Sequence, residues 1–587
     1  MRSLTAAMGA AVLGRMLEFP AMGKIYDGAA GSANAVEFID RVFDLLGVSY
    51  HVPADKLANV PTTGPLIVVA NHPFGALEGL VLPRALLTVR PDVRVMANFM
   101  LSRIPELREL MIFVDPFGKP ESARANLAGM RESLAHLRQG GVLIVFPAGT
   151  VSHLHVRRRC ITDPPWSPIV ARLIRRAQAP VLPVYFEGRN GTLFQLAGLV
   201  HPRLRTLMLP HELMKRQHTT ISMRMGRPVP AARLAQIELD DDLIAYLRLR
   251  TYVLAGATAP RRSLHDWLSR GALRHPRQET IVAAQDPQAL AAEIAALPPS
   301  SLMHDAGEMA VYIAPAPQIP AVLQELGRLR ETTFRQVGEG TGRATDLDRF
   351  DAHYLHLFIW HRDRHELVGA YRVGQTDLLL PRFGLAGLYT HSLFRFKPQL
   401  IAQIAPALEL GRSFVRGEYQ KSFAPLMLLW KGLGRFVVAH PRYRYLFGPV
   451  SINDRYKDLS QWMMLAFLKT HRYLPHLASL VRPKHPPLLR PPRDWDLAAN
   501  SRVVTDIDDV SSLIADIEDQ QTGVPILVKQ YLRVGAQMLA FNVDPGFGHT
   551  LDGLVLVDLT QTDRTVLKHY FTRQGRDAFL AHHGVSA

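Results

Sequence analysis

Two ionisable side chains, His72 and Glu78, follow an apolar strand and together could carry out acid–base chemistry. The strand is predicted over Leu66–Ala70, because β-branched residues fill it as they fill buried parallel strands. Pro73 and Gly75 end the strand, and a helix is predicted to begin after Gly75. Six positions apart on one helix the two side chains would point in different directions, so they can meet only if the loop folds back.

A carboxylate beside an imidazole fixes the tautomer of the ring and stabilises the imidazolium that forms when the ring accepts a proton. No serine or cysteine nucleophile accompanies His72 and Glu78 in this segment, so the attacking group is expected to belong to the substrate. The simplest alternative is a histidine that ends a strand and is satisfied by a backbone carbonyl, since the chain has 24 histidines.

Residues 71–79 resemble the His-and-acid motif of the lysophospholipid (glycerolipid) acyltransferases, in which the histidine deprotonates a lipid hydroxyl that attacks an acyl thioester. In that family four residues separate the histidine from the acid, which is an Asp; here Leu77 occupies the place of the acid and Glu78 follows one position later. This departure resembles the branch of O-acyltransferases that act in ornithine-lipid synthesis. The resemblance implies that His72 is the base and Glu78 its partner.

Three further blocks resemble later motifs of the same family and occur in the same order: residues 113–118, 147–152 and 181–186. The resemblance implies that Asp115 helps to bind the polar head of the acceptor and that Gly149 and Thr150 contribute to the head-group site. Ala148 stands where the family carries a Glu, which argues against a phosphate-bearing acceptor. The N-terminal half is therefore expected to have the α/β fold of that family.

The C-terminal half has a second set of elements. The pattern predicts a helix over residues 328–335, a glycine-rich loop over 338–342 and a hairpin of strands over 354–360 and 367–372. This order resembles the start of a Gcn5-related N-acyltransferase domain with a mixed sheet. Six residues of this half resemble the pattern of acyl-homoserine-lactone synthases and ornithine N-acyltransferases: Arg330, Phe334, Asp351, Arg372, Glu409 and Arg412. The resemblance implies that these side chains bind the substrate or take part in catalysis.

An α-amine must be held near carboxylates and deprotonated before it attacks a thioester. Asp346, Asp348, Asp351 and Glu409 could supply both functions, with Glu409 as the catalytic candidate. The alternatives are a solvated loop for the aspartates and a surface ion pair for Glu409 and Arg412.

A second prediction concerns the acyl donor. Lys431, Gly432 and Gly434 are predicted to let backbone amides approach the phosphate of phosphopantetheine.

Length and composition predict two large domains. At 587 residues the chain is too long for one core, and a turn-rich stretch places the boundary near residue 275, giving domains 1–275 and 276–587. Cys160 is the single cysteine, so no intramolecular disulfide is possible and a reducing compartment is expected.

The net charge of +16 requires an acidic partner. Nucleic acid is not expected, because zinc-finger spacings, basic zippers and aromatic ribonucleoprotein motifs are absent from the sequence. Anionic membrane lipid and acyl carrier protein explain the charge equally well. No uncharged apolar run of 18 residues occurs, so peripheral attachment to the cytoplasmic face of the inner membrane is expected instead of a spanning helix.

The two resemblances together imply a bifunctional acyltransferase similar to the fused ornithine-lipid synthases. The C-terminal domain would join a 3-hydroxyacyl group from acyl carrier protein to ornithine, and the N-terminal domain would then acylate the 3-hydroxyl. No bound cofactor or metal is expected, and acyl carrier protein thioesters serve as donors. Two alternatives stay open at this point: another amino acid (glutamine, lysine or glycine) as head group, or a non-catalytic haemolysin-like protein that binds membranes.

Overall fold

The chain forms two compact units, and each unit is built from two separate segments of the chain. The computed structural model describes residues 18–115, 123–156, 159–258, 278–489, 502–518 and 522–585. The first unit comprises residues 1–260 and 491–522, and the second comprises 261–490 and 523–587. The boundary predicted near residue 275 lies outside the described residues.

Nine strands are described in the first unit: β1 Ser49–His51, β2 Leu66–Ala70, β3 Val93–Asn98, β4 Met111–Val114, β5 Val142–Val145, β6 His153–His155, β7 Cys160–Thr162, β8 Val181–Phe186 and β9 Thr220–Met225. Seven of them form one sheet in the order β1-β9-β8-β2-β5-β3-β4, and β6 pairs with β7. Every pair in the large sheet is parallel except β8 with β9.

The centre of this sheet is apolar on both faces. All five side chains of β2 are buried, as its β-branched sequence predicted. Because β2, β3, β4, β5 and β8 run in the same direction, the loops that follow them meet at one edge of the sheet. His72 follows β2 and therefore lies at that edge.

The helices described in the first unit are Phe19–Ala29, Ala35–Leu46, Ala54–Leu57, Leu77–Leu86, Ala123–Arg138, Pro168–Ala177, Thr192–Val200, Pro202–Met214, Ala231–Ala235, Asp240–Tyr252 and Ile507–Ile517. The last of these corrects the sequence prediction, which assigned every residue beyond 275 to the second domain. It is held in the first unit by Asp516, whose carboxylate lies 2.6 Å from the buried Arg250 guanidinium, and by Asp509, which pairs with Arg233.

Ten strands are described in the second unit: β10 Leu302–Ala306, β11 Met309–Pro315, β12 Leu355–His361, β13 Glu366–Gln375, β14 Phe394–Phe396, β15 Ala407–Val415, β16 Tyr445–Ile452, β17 Val481–Pro483, β18 Gln537–Asp544 and β19 Thr550–Asp558. Eight form a mixed sheet in the order β10-β11-β12-β13-β15-β16-β19-β18. The only parallel pair among these described strands is β15 with β16.

The parallel pair separates partway along its length. Residues 407–409 of β15 pair with 445–447 of β16, and the remaining residues of the two strands are not paired with each other. Gly448 lies at the point of separation, where a Cβ atom would come within 2.1 Å of the Leu410 carbonyl oxygen. The sheet therefore opens just beyond Glu409, and a glycine permits the close approach there.

The helices of the second unit are Pro287–Ala295, Pro320–Gln336, Thr376–Phe383, Thr390–Leu393, Pro398–Ile404, Ala424–Ala439, Asp458–His471, Pro475–Ala478, Ile526–Arg533, Arg564–Tyr570 and Arg573–His582. The predicted α/β class is confirmed in both units. None of the helices in the described parts of the chain is long and apolar enough to cross a membrane.

Candidate active sites

The loop after β2 folds back and brings His72 and Glu78 together, as predicted. Nδ1 of His72 lies 2.9 Å from Oε1 of Glu78. Glu78 is fully buried at the start of helix Leu77–Leu86, whereas 17% of the His72 side chain is exposed. With Nδ1 facing the carboxylate, the other ring nitrogen is the one that can accept a proton from a substrate.

Backbone geometry explains how an acid at the unusual position reaches the histidine. Gly75 has a φ of 105°, a conformation that favours glycine and reverses the chain. Oε1 of Glu78 accepts hydrogen bonds from the backbone N–H groups of Phe74 (2.8 Å) and Gly75 (2.9 Å). The carboxylate thus holds the turn and the imidazole with the same oxygen.

Asp163 holds the backbone of the loop that carries His72, and the sequence analysis did not identify it. Its carboxylate accepts hydrogen bonds from the His72 backbone N–H (3.2 Å), the Ser152 hydroxyl and the Trp166 ring N–H (2.9 Å). The Ser152 backbone N–H in turn donates to the His72 carbonyl at 2.8 Å. The loop that follows β5 is therefore joined to the loop that follows β2.

The electrostatics of the pair favour the charged form of both groups. Burial alone would lower the pKa of His72, but the charge and hydrogen bonding of Glu78 outweigh it and raise the pKa. Burial would raise the pKa of Glu78, yet the His72 charge and the backbone N–H groups lower it. Glu78 can therefore stabilise the imidazolium that forms when His72 takes a proton.

The remaining predicted residues of the first unit lie at the same edge of the sheet. Gly149, with a φ of 64°, and Thr150 form the turn after β5. Asp115 follows β4, which is separated from β2 by β5 and β3, and its backbone N–H donates to Asn126 at 2.6 Å. The structure thus places Gly149 and Thr150 in the loop after β5, the strand next to β2, and places Asp115 farther along the same edge.

In the second unit three buried arginines share three aspartates. Arg330, on helix Pro320–Gln336, lies 2.7 Å from Asp351. Arg372, on β13, lies 2.7 Å from Asp348 and 3.3 Å from Asp351. Burial would raise the pKa of Asp351, but the two arginines hold it well below its usual range. The predicted residues thus form one buried network instead of a solvated loop.

Arg412 belongs to the same network and does not pair with Glu409. Its Nε lies 3.0 Å from the buried Asp346 carboxylate, and its Nη1 donates to the Tyr389 hydroxyl at 3.0 Å. Its guanidinium also lies over the Phe547 ring, 4.6 Å from the centroid. The alternative of a surface ion pair between Glu409 and Arg412 is wrong, because both side chains are largely buried on β15.

Phe334 packs beside this network, against the ring that lies under Arg412. Its ring meets that of Phe547 edge-on, with the centroids 5.1 Å apart, within a buried apolar cluster. The structure therefore gives Phe334 a packing role beneath Arg412. Its predicted contact with substrate stays a prediction.

Glu409 lies on β15 at the point where the sheet opens. Its carboxylate accepts hydrogen bonds from the Tyr354 hydroxyl and from the backbone N–H groups of Tyr389 (3.1 Å) and Thr390 (2.6 Å). Burial raises its pKa in spite of these donors. The carboxylate orders Tyr354 and Tyr389 around the opening, and its role in accepting a proton from the amine stays a prediction.

Two further acids were missed because no local motif marks them. Asp552 on β19 is buried and accepts a hydrogen bond from Ser451 at 2.8 Å. Burial, reinforced by Asp544 and Glu339, raises its pKa to about 8. Burial also raises the pKa of Glu339 to about 7. Pairing of β16 with β19 sets Asp552 opposite Ser451, which no sequence pattern predicts.

The predicted phosphate site at Lys431, Gly432 and Gly434 is wrong. These residues lie inside helix Ala424–Ala439, where backbone N–H groups serve the helix itself. A Cβ atom at Gly432 would come within 2.5 Å of Val311, and one at Gly434 within 2.7 Å of the Tyr570 carbonyl oxygen. The two glycines therefore allow close packing of the helix. Across the described part of the chain, no three His, Cys, Asp or Glu side chains are grouped to hold a metal ion.

Comparison with known proteins identifies the family of each unit. A profile described as Acyltransferase matches residues 31–259, and one described as Acetyltransferase (GNAT) domain matches residues 329–431. A glycine N(alpha)-acyltransferase of Bacteroides thetaiotaomicron is 34% identical over 242 residues, which are 39% of this chain and 71% of that protein. The chain is an acyltransferase in which an acyltransferase domain is followed by a GNAT domain.

Two other relatives of this fused acyltransferase are named for different transfers, one for O-acylation and one for N-acylation. A lyso-glycine lipid O-acyltransferase of Phocaeicola vulgatus is 28% identical over 202 residues, 33% of the chain and 69% of that protein. An L-ornithine N(alpha)-acyltransferase of Brucella abortus is 24% identical over 237 residues, 39% of the chain and 76% of that protein. The predicted enzyme class is thereby confirmed.

Proposed function

We propose that the fused acyltransferase builds a diacylated amino-acid lipid by two successive transfers. In the second unit the α-amine attacks the thioester of a 3-hydroxyacyl group on acyl carrier protein; a C–N bond forms, the C–S bond breaks, and the amine proton passes to a carboxylate. In the first unit the 3-hydroxyl of that product attacks a second acyl thioester, and His72 accepts the hydroxyl proton. The leaving thiolate is protonated in each case.

The observation that carries the O-acyl step is the His72–Glu78 contact of 2.9 Å on a partly exposed imidazole. Ser152 is buried and its hydroxyl donates to Asp163, so it is not available as a protein nucleophile. A base without a protein nucleophile suits direct attack by a substrate hydroxyl.

The N-acyl step is supported by unused donors at Arg372. Its Nε and Nη2 atoms are buried and have no hydrogen-bond partner among the described residues. Buried N–H groups of a guanidinium are costly when unpaired, and a carboxylate can satisfy both of them. The α-carboxylate of an amino acid is the group we propose for this place.

The head group is proposed to be ornithine. Its side chain carries a second ammonium, which suits the acidic surroundings of Asp552, Asp544 and Glu339. Glycine is the second candidate, because two relatives named glycine N(alpha)-acyltransferase are 34% and 30% identical to the chain. Incubating the chain with a 3-hydroxyacyl carrier protein and either amino acid distinguishes the two by the mass of the amide.

We also propose acyl carrier protein as donor and the cytoplasmic face of the inner membrane as the location. The net charge of +16 suits both an acidic carrier protein and anionic lipid. Fusion keeps the first product close to the second active centre, which raises its effective concentration.

The test is His72→Ala in a host whose lipids are extracted and analysed by mass spectrometry. We expect loss of the diacyl lipid, with about 10²–10⁴-fold slower O-acylation, and accumulation of the monoacyl amino-acid lipid. His51→Ala, an exposed histidine on β1, is the matched control and should leave both lipids unchanged. Normal amounts of diacyl lipid from the His72 variant would contradict the proposal. If the parent chain itself produced no ninhydrin-positive, phosphorus-free lipid, a non-catalytic membrane-binding protein would be favoured.

A further inference from the structure

A helical hairpin in the first unit has apolar side chains on both its inner and its outer side. Helices Thr192–Val200 and Pro202–Met214 are separated by one residue and pack against each other. The inner side is closed by Phe194 and Met208, which bury themselves against Val151 in the loop after β5. This contact anchors the hairpin to the unit.

The outer side of the hairpin is apolar and uncovered. Six large apolar side chains are exposed there: Leu193, Leu196, Leu199, Val200, Leu204 and Leu207. Leu196 is 53% exposed and Val200 80%. A helix that is apolar all round is normally buried on all sides, and a contiguous exposed patch of this kind marks an interaction surface.

The hairpin lies directly beside the His72 loop. A Cβ atom on Gly75 would come within 2.9 Å of Leu209, and the Asn190 side chain, just before the hairpin, donates to the Phe74 carbonyl at 3.4 Å. A second exposed apolar segment, residues 99–101, follows β3 and therefore lies at the same edge of the sheet. The apolar surface thus borders the edge that carries the histidine.

The charges on the hairpin identify its partner. Its single carboxylate, Glu212, is buried and accepts from the Gly191 backbone N–H at 2.7 Å, so it does not face solvent. The exposed charges, Arg203 and Lys215, are positive, and Lys215 also lies 3.5 Å from the Glu212 carboxylate. An apolar patch flanked by exposed cations fits the interface of an anionic bilayer, where acyl chains meet negative head groups.

We propose that this hairpin is the surface by which the first unit rests on an anionic lipid bilayer, with Leu196, Leu199 and Val200 at the acyl boundary. The monoacyl acceptor would then reach His72 from the membrane without crossing water. This last step rests on the proposed function, whereas bilayer binding by the hairpin does not.

The test measures binding of the full chain to vesicles of phosphatidylcholine with and without phosphatidylglycerol, in the absence of substrates. Leu196→Gln/Leu199→Gln/Val200→Gln should weaken binding to the anionic vesicles by about 100-fold, because three partly inserted side chains are lost. Ile169→Gln/Leu239→Gln is the matched control: both residues are exposed and apolar in the same unit, and the double variant should bind as the parent does. Glutamine keeps the helix, and unchanged circular dichroism checks folding.

Arg203→Glu should weaken binding to anionic vesicles and leave the weaker binding to neutral vesicles unchanged. His72→Ala should bind vesicles normally, so failure of the proposed reaction and failure of the docking surface are distinguishable. Parental binding by the hairpin variant would overturn the proposal. A second result would also overturn it: light scattering in which the parent self-associates and the hairpin variant is monomeric, while both bind vesicles equally. The hairpin would then join two copies of the chain.

Discussion

Replacing Glu78 by Gln isolates the charge of the His72 partner from its shape. Oε1 serves His72, Phe74 and Gly75, whereas Oε2 is buried and has no hydrogen-bond partner among the described residues. Glutamine can therefore keep its carbonyl oxygen at the place of Oε1 and put its amino group where Oε2 was. The tautomer of the imidazole is retained, and only the negative charge is removed.

The charge is what keeps the pKa of His72 raised against the opposing effect of burial. Without it burial prevails, the pKa of His72 falls, and the ring becomes a weaker base whose imidazolium is no longer stabilised. We expect O-acylation to slow by about 10²–10⁴-fold. Because the neutral ring is the active base, the acidic limb of the pH–rate profile should move to lower pH in the variant.

The assay supplies purified monoacyl amino-acid lipid and an acyl carrier protein thioester, and follows free thiol and diacyl lipid across pH. Glu212→Gln is the matched control, since Glu212 is also buried and also accepts from a backbone N–H, that of Gly191, but has no hydrogen bond or ion pair with His72. N-acylation should be unchanged in both variants. A Glu78→Gln enzyme with the parental rate and pH profile would refute the role given to the carboxylate.

Three further predictions concern the second unit and the returning helix. Glu409→Ala should remove both lipids, and Glu409→Gln should not rescue them, because the glutamine amino group would face the N–H donors of Tyr389 or Thr390. Adding monoacyl lipid to either variant should restore the diacyl product. Normal amide synthesis by these variants would show that Glu409 has no part in N-acylation. The ionised form of Asp552 is the one that attracts the second ammonium of ornithine. Because the pKa of Asp552 is raised to about 8, N-acylation should rise as pH passes through about 8, a limb that Asp552→Asn should lack. Since the folded state binds the extra proton, stability should fall from about pH 4 to about pH 8 in the parent and less so in that variant, as thermal unfolding would show. Asp516→Ala should lower the free energy of unfolding of the first unit by about 3–5 kcal/mol in denaturant titrations, because Arg250 is left buried without its partner; a change below about 1 kcal/mol would show that the pair is dispensable.

Local patterns predicted the apolar strands and the contact between His72 and Glu78. β2 and β8 begin and end where their apolar runs do, because every residue of β2 and all but one of β8 are buried. The meeting of His72 with Glu78 was also predictable, since Pro73 and Gly75 leave the chain little choice but to turn. The geometry at the turn then depends on residues that are close in sequence.

The errors share a physical cause, which is that the deciding contact is distant in sequence. Asp163 lies 91 residues from His72 and belongs to no motif. Gly432 and Gly434 have the composition of a phosphate-binding loop, yet what decides their role is the proximity of Val311 and Tyr570. Arg250 and Asp516 are 266 residues apart, and a charge pair across that separation leaves no local pattern.

The helix Ile507–Ile517 gives the molecule the connectivity of an insertion, because the polypeptide leaves the first unit, builds most of the second and comes back before completing it. An end-to-end fusion can be separated by one cut, whereas this polypeptide passes between its two units three times and cannot be separated in that way. A gene fragment stopped after residue 260 would lack the carboxylates that neutralise Arg250 and Arg233. Obtaining the proposed O-acyl activity alone therefore calls for rejoining residues 1–260 to 502–518 through a new linker, a design that removes both the internal and the C-terminal segment of the second unit.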